Sequence, residues 1–290
     1  MHSYLRAIGF SKYKSRRQLE PVYKSCLREP SRKEVTTISV DTSMLQFEKD
    51  FDKNLGISLV GEVDAAGACS IEHYFPYYKG RYFMEFEGIS IEKQTDKESY
   101  AGVCEDLRLG MTIIFYVVNI ADYAKSKWFN YSNRGMTRVK LSGLSTEGTV
   151  LLGTKKPSGR NAGPDLSAPF FAPPGMGDLE DPHEYHDPIN HEYGRYELLT
   201  TRACREDLLT IVETSFMPCG VECDHYLVVG NILEVREMKN SFTEEKIYNL
   251  LIEANYLTID VVINQEDLMG EPEVGRRFRG EIWLQGVVQI

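Results

Sequence analysis

Leu19, Val22, Tyr23, Cys26 and Leu27 recur at i, i+3, i+4, i+7 and i+8, the apolar stripe of an amphipathic helix. Arg16, Arg17, Lys24 and Arg28 fall mostly off that stripe. Pro21 sits within it and predicts either a helix that begins there or one that bends there. Met44, Phe47 and Phe51 keep a helical spacing and predict a second, short helix. From Gly56 the period changes to two. "ISLVGEV" and "CSIEHYFPYY" flank "DAAG" as a hairpin, and "GISIEK", "SYAGVCE" and "MTIIFYVVN" continue as strands. "TRVKLSG" and "TVLLGTK" predict a further hairpin around "STEG". Links this short make successive strands antiparallel, because parallel pairs need long crossovers.

Residues 157–188 hold seven of the twelve prolines, too many for either a helix or a ladder. Beyond them, "REDLLTIVETSF" carries a helical stripe that Pro218 halts, and the remainder is strand-like. "YLVVGNILEV", "KIYNLLIEA", "YLTIDVVIN" and "RFRGEIWLQGVV" are four strands, the last two alternating at Leu257, Ile259, Val261, Ile263 and at Phe278, Ile282, Leu284, Val288. Glycines 230, 270, 275, 280 and 286 suit the bulges and corners of a small barrel. The expectation is an α+β protein in separate parts: an antiparallel-sheet domain over 1–155, a Pro/Gly-rich connector over 156–190, and one helix plus a small OB-like β-barrel over 191–290.

Composition narrows the class. The chain is 42% hydrophobic and 26% charged, that of an ordinary globular protein, and no apolar run approaches a membrane helix. The first residues lack the continuous apolar segment of a secretory signal, so a cytoplasmic protein is expected, with its six cysteines as thiols. The net charge of −10 is uneven: residues 1–33 carry nine bases against Glu20 and Glu29, and residues 190–290 carry nine bases against eighteen acids. An acidic protein repels phosphate backbones at long range, which disfavours general nucleic-acid binding.

Three places could carry chemistry. Cys219, Cys223 and His225 stand within "FMPCGVECDHY", and on a strand Cys223 and His225 would share a face as two ligands of a zinc ion; the alternatives are buried core thiols or a reactive thiol. His183, His186 and His191 stand among Asp181, Glu184, Asp187 and Glu192 and could hold a divalent metal, or form a docking loop. The helical zinc-protease pattern is not met there. Arg276, Arg277 and Arg279 beside Phe278, with Trp283 further on, have the charged and aromatic character of a single-strand-binding strand, or of arginines paired with Glu271, Glu273 and Glu281. No phosphate loop, glycine fingerprint or nucleophile elbow occurs.

At "MHSYLRAIGFS", "YFPYYKG", "SYAGVCEDLRLGMTIIFY" and "GEPEVGRRFRGEIWLQG" the chain resembles a family of clostridial proteins described only as a domain of unknown function. The resemblance runs from Met1 to the last strand, implies a cytosolic bacterial protein and assigns no residue a role. The function expected is a non-catalytic binding or assembly protein without a cofactor, acting on an unknown protein partner or a second copy. The basic first helix would meet an acidic surface. The alternatives are a metal-dependent hydrolase using the His183–His191 loop and single-strand binding by the C-terminal barrel.

Overall fold

In the computed structural model the first stripe becomes α1 (Arg16–Arg28), with Leu19, Val22 and Cys26 buried and Leu27 exposed. Gln18 Oε1 accepts the Ser15 and Lys14 N–H groups at 2.9 and 2.8 Å, satisfying donors ahead of the first turn. The helix therefore starts at Arg16, with Pro21 inside it. The residues described are 2–39, 42–63, 67–94, 98–106, 110–128, 136–151 and 214–290. Met1–Leu152 and Val212–Ile290 belong to one unit; Gly153–Ile211 are assigned to another and lie outside the described residues. So do the expected connector and most of the helix expected over 205–216, whose last residues are already strand.

The described part is mostly β. Four strands, β1 (Arg32–Thr37), β2 (Ser43–Asp52), β3 (Leu55–Val63) and β4 (Cys69–Tyr78), form an antiparallel sheet in chain order. The helix expected over Met44–Phe51 is thus a strand. Met44 to Glu48 are all buried, so both faces of β2 are covered there even though one carries Gln46 and Glu48, and its large residues fall at helical spacing by coincidence. Both α1 and a second helix, α2 (Ile120–Trp128), pack on β2. Buried Gln46 on β2 accepts the Ala121 N–H at 3.0 Å and donates to Val118 O at 2.9 Å, which secures the start of α2. Pro76 lies in β4, the edge strand, where a missing N–H is tolerated.

The second sheet has ten strands: β5 (Met84–Lys93), β6 (Tyr100–Asp106), β7 (Met111–Val117), β8 (Met136–Leu151), β9 (Ser215–Pro218), β10 (His225–Lys239), β11 (Lys246–Ala254), β12 (Leu257–Asn264), β13 (Leu268–Met269) and β14 (Arg277–Val288). The expected hairpin around "STEG" is instead one continuous strand, β8. It pairs with β14 from Val139↔Val288 to Leu151↔Arg277, and the register skips Thr146 opposite the Glu281/Ile282 step. The polar, glycine-containing stretch that imitates a turn is a bulge. The glycine makes room: a Cβ on Gly148 would lie 2.5 Å from the Phe278 ring.

This pairing corrects the expected partition. Strands of the first half and of the last hundred residues share one sheet and one hydrophobic core, so residues 1–155 and 191–290 do not form separately cored bodies. The pairings β10·β11, β11·β12, β12·β8, β8·β14 and β14·β10 close a ring of five strands, and β8·β5, β5·β6, β6·β7, β7·β14 and β14·β8 close another. The C-terminal strands do curl, but their ring takes β8 from the first half. The parallel pairs β12·β8, β13·β8 and β14·β7 each join segments far apart in sequence, as the crossover rule requires, while β5, β6 and β7 pair antiparallel as expected. Buried side-chain amides splice the two sheets: Gln285 on β14 donates to Pro76 O at 2.9 Å and accepts from Tyr78 N–H at 3.2 Å.

Candidate functional site

A 3-10 turn over Ser3–Ile8 straps the second sheet and carries His2 and Tyr4 with it. It ends at Gly9, whose φ of 87° and whose approach to Asn240, 2.8 Å from a would-be Cβ to the Asn240 Cβ, both require glycine. Asn240 Nδ2 donates to Ile8 O at 2.7 Å and holds the strap down. On β14, Trp283 sits opposite His225, the first residue of β10. The segment before β10 is folded back by Cys219 N–H to His225 O at 2.9 Å and Leu284 N–H to Asp224 O at 2.8 Å.

The result is a cluster that joins both ends of the chain. Trp283 packs against His2, Tyr4 and Tyr116 with ring centroids 4.7, 5.5 and 5.1 Å away, and Tyr4 lies 5.5 Å from His225. The Trp283 indole N–H donates to Asp224 Oδ2 at 2.8 Å. Burial raises the Asp224 carboxyl above its ordinary range, against the opposing pull of that indole and of His225. Burial, then the chain's amino group and His225, lower the His2 imidazole to about 4, so it is neutral at pH 7. Its Nδ1 is buried without a hydrogen-bond partner. The Tyr4 phenol is pushed far up by burial and by Glu281, Cys219, Asp224 and Glu222. His225 Nε2 stands 3.5 Å from Glu222. Glu222, Asp224 and His225 each offer one ligand atom within 4.8 Å of the others, a spacing one divalent cation can bridge.

The predicted residues are distributed differently. His225 belongs to this cluster, whereas Cys219 and Cys223 are not among its three ligand groups. Cys223 is exposed and Cys219 half-buried, which corrects the core-thiol reading; among the described residues Cys26 and Cys104 are the buried thiols, with Cys26 pushed up to about 12 by burial. His183, His186 and His191 lie outside the described residues. Phe278 is 0% exposed and Trp283 is buried, so the stacking surface expected beside Arg277 and Arg279 is closed: both rings face protein. Arg276 pairs with Glu273 at 2.8 Å, as one of the alternatives held. His2, Tyr4, Glu222 and Asp224 were not legible as a group, because nothing local to either chain end announces the other.

A second surface is electrostatic. Lys12, Lys14, Arg16, Arg17, Lys24 and Arg28 are all exposed along and before α1. Among the described residues only Lys24 has a carboxylate within ion-pair distance, Glu20 at 2.7 Å. Residues 214–290 carry thirteen acids against six bases.

Fold and clusters together define a mostly-β protein of two sheets, one antiparallel and one mixed, with a histidine, tryptophan and carboxylate cluster at the amino-terminal strap. Among the described residues no helix is long and apolar enough to cross a membrane. Comparison with curated proteins and with solved structures finds no match. Residues 5–165 and 188–286 match the family described as "Domain of unknown function, E. rectale Gene description" (DUF3881), and the chain belongs to that family.

Proposed function

We propose that this chain is a non-catalytic, cytoplasmic binding and assembly protein, and that the basic face of α1 docks on acidic surface of a second copy. The observation that supports it is the row of exposed cations at Lys12, Lys14, Arg16, Arg17 and Arg28 with no carboxylate in ion-pair distance among the described residues, in a chain whose net charge is −10. Such a face attracts the oppositely charged remainder of another molecule, and steering of this kind weakens once the Debye length falls to a few ångström. The OB-like reading belongs to this proposal in reduced form: β10, β11, β12 and β14 supply four strands of a five-strand ring and β8 the fifth. The hydrolase alternative rests on His183, His186 and His191, outside the described residues.

Sedimentation equilibrium at low ionic strength tests the reading. The expected result is self-association that weakens about tenfold in an Arg16→Glu, Arg17→Glu variant and again in salt of about 0.5 M. Both side chains are exposed, so the fold tolerates the change. A wild-type protein that stays monomeric, or a variant that associates equally well, overturns it.

A further inference from the structure

The five residues between β4 and β5, Lys79 to Phe83, form a pinned loop. Lys79 N–H donates to Asn54 O at 2.9 Å and its Nζ pairs with buried Glu48 at 2.6 Å. A Cβ on Gly80 would lie 2.7 Å from Leu141 O, so the backbone lies directly on β8. The Arg81 N–H and Nε both donate to Asp260 at 2.8 Å, and Nη1 reaches Glu234 at 2.7 Å. Three consecutive residues are thus anchored, and the next two hold aromatic rings in solvent: Tyr82 is 47% and Phe83 40% exposed.

Cations gather at those rings. The Arg81 guanidinium lies 5.1 Å from the Tyr82 ring centroid, and Arg138 and Lys140 lie 4.9 and 4.7 Å from that of Phe83. Arg138 and Lys140 are two apart on β8 and share one face of it, so both reach Phe83 from the strand side. Neither has a carboxylate within ion-pair distance among the described residues. Glu85 is the in-register neighbour of Arg138 on β5, and partly buried Val287 that of Lys140 on β14. Among the described residues two like charges are thus held at one ring with Glu85 across from Arg138 but no carboxylate within ion-pair distance, an arrangement that a bound anion relieves.

We propose that Phe83, Arg138 and Lys140 form a binding site for a nucleoside phosphate, with the base stacked on the outer face of Phe83 and the phosphate between the two cations. Cations over the ring draw electron density from it, so its exposed surface favours an electron-rich purine. Base stacking on an exposed ring and charge on the phosphate are the two contributions such a ligand needs. A carboxylate-only partner, such as an acidic peptide, would satisfy the cations and leave the ring unused. A long single strand would meet two cations here and a chain of net charge −10 around them. The anchoring of Lys79, Gly80 and Arg81 means that little ordering remains to be paid on binding. This site uses residues distinct from those of α1 and stands or falls apart from the assembly reading.

Calorimetric titration of the full chain with ADP tests the site, with adenosine, pyrophosphate, a short oligodeoxyadenylate and a polyglutamate peptide as comparators. ADP is expected to saturate and to bind about tenfold more tightly than adenosine or pyrophosphate. Phe83→Ala should weaken ADP about tenfold and leave pyrophosphate unchanged, and Phe83→Tyr should restore it. Arg138→Gln with Lys140→Gln should weaken both ADP and pyrophosphate. All three side chains line the surface, and unchanged urea midpoints establish that the variants fold. The proposal is overturned if ADP does not saturate, if ADP binds no better than pyrophosphate, or if either polymer binds more tightly than ADP through the same residues.

Discussion

β3 and β4 meet across a short link, from Val63↔Cys69 to Leu55↔Tyr78, whereas β8 and β14 meet with residues 152–276 between them. The first pair has an exposed end: Cys69 to Glu72 all face solvent. The second is enclosed. Leu141 to Ser145 on β8 and Ile282 to Gly286 on β14 are buried without interruption. One face of β14 meets Phe115 and Ile282 meets Gly143, while Trp283 and Gln285 on the other reach the strap and the first sheet. A hairpin shows its partner in the chain because the turn and the alternation lie side by side. A strand buried on both faces shows only that something covers it.

The largest test of that difference compares Phe278→Ala with Ile71→Ala. Phe278 is fully buried between β8 and β12, so its loss should cost about 3–5 kcal/mol in urea unfolding, while exposed Ile71 should cost about 0.5 kcal/mol or less. Comparable losses would mean that the two strand pairs are equally important to stability.

His2 sharpens the comparison because it touches both regions, its N–H donating to Tyr74 OH on β4 at 3.1 Å and its ring lying on Trp283. Its folded value near 4 lies below the ordinary 6.5, so the unfolded chain takes up a proton that the folded one refuses. Stability is therefore lost as pH falls from 6.5 through about 4, by up to about 3 kcal/mol. Asp224 acts in the opposite sense: its raised carboxyl makes stability rise as pH falls through its folded value. His2→Gln should accordingly be more stable than wild type at pH 4.5, relative to pH 7. A difference between the two proteins that does not change with pH would remove His2 as the titrating group.

Gly286→Ala is the smallest effect. A Cβ there would lie 2.4 Å from Phe115 and 2.9 Å from Val139, so a loss of about 1–3 kcal/mol is expected. Gly88→Ala on β5, with open space around it, should change stability by about 0.5 kcal/mol or less. Equal melting shifts would show that the β14 glycine is not held by close approach.

Much of the local structure was legible. The α1 stripe, the β3·β4 hairpin, the strands β5 to β7 and the four long C-terminal strands follow from period and turn residues. Two errors have separate causes. Met44, Phe47 and Phe51 fall at helical spacing on a strand that alternates at Leu45, Phe47 and Phe51, and "STEG" reads as a turn because the polar residues and glycine of a bulge imitate one. The tight turn at Asn255 and Tyr256, both at positive φ, joins β11 to β12 and gave little warning, since tyrosine is an unusual residue there. The cluster around Trp283 was half visible: His225 and Trp283 stood out, but their neighbours His2 and Tyr4 come from the other end of the chain.

Sequence alone determined most of the extended stretches outside β1, β2 and the middle of β8, that one basic helix precedes them, and that the chain divides its charge. Tertiary structure decided that β8 belongs with the C-terminal strands, that Phe278 and Trp283 are enclosed, and that a histidine at position 2 packs on the Trp283 ring, whose indole binds the carboxylate at 224. Periodicity reports how many faces of a segment are covered. Which segment covers them depends on how a twisted sheet closes, and that is set by pairings between residues far apart in the chain.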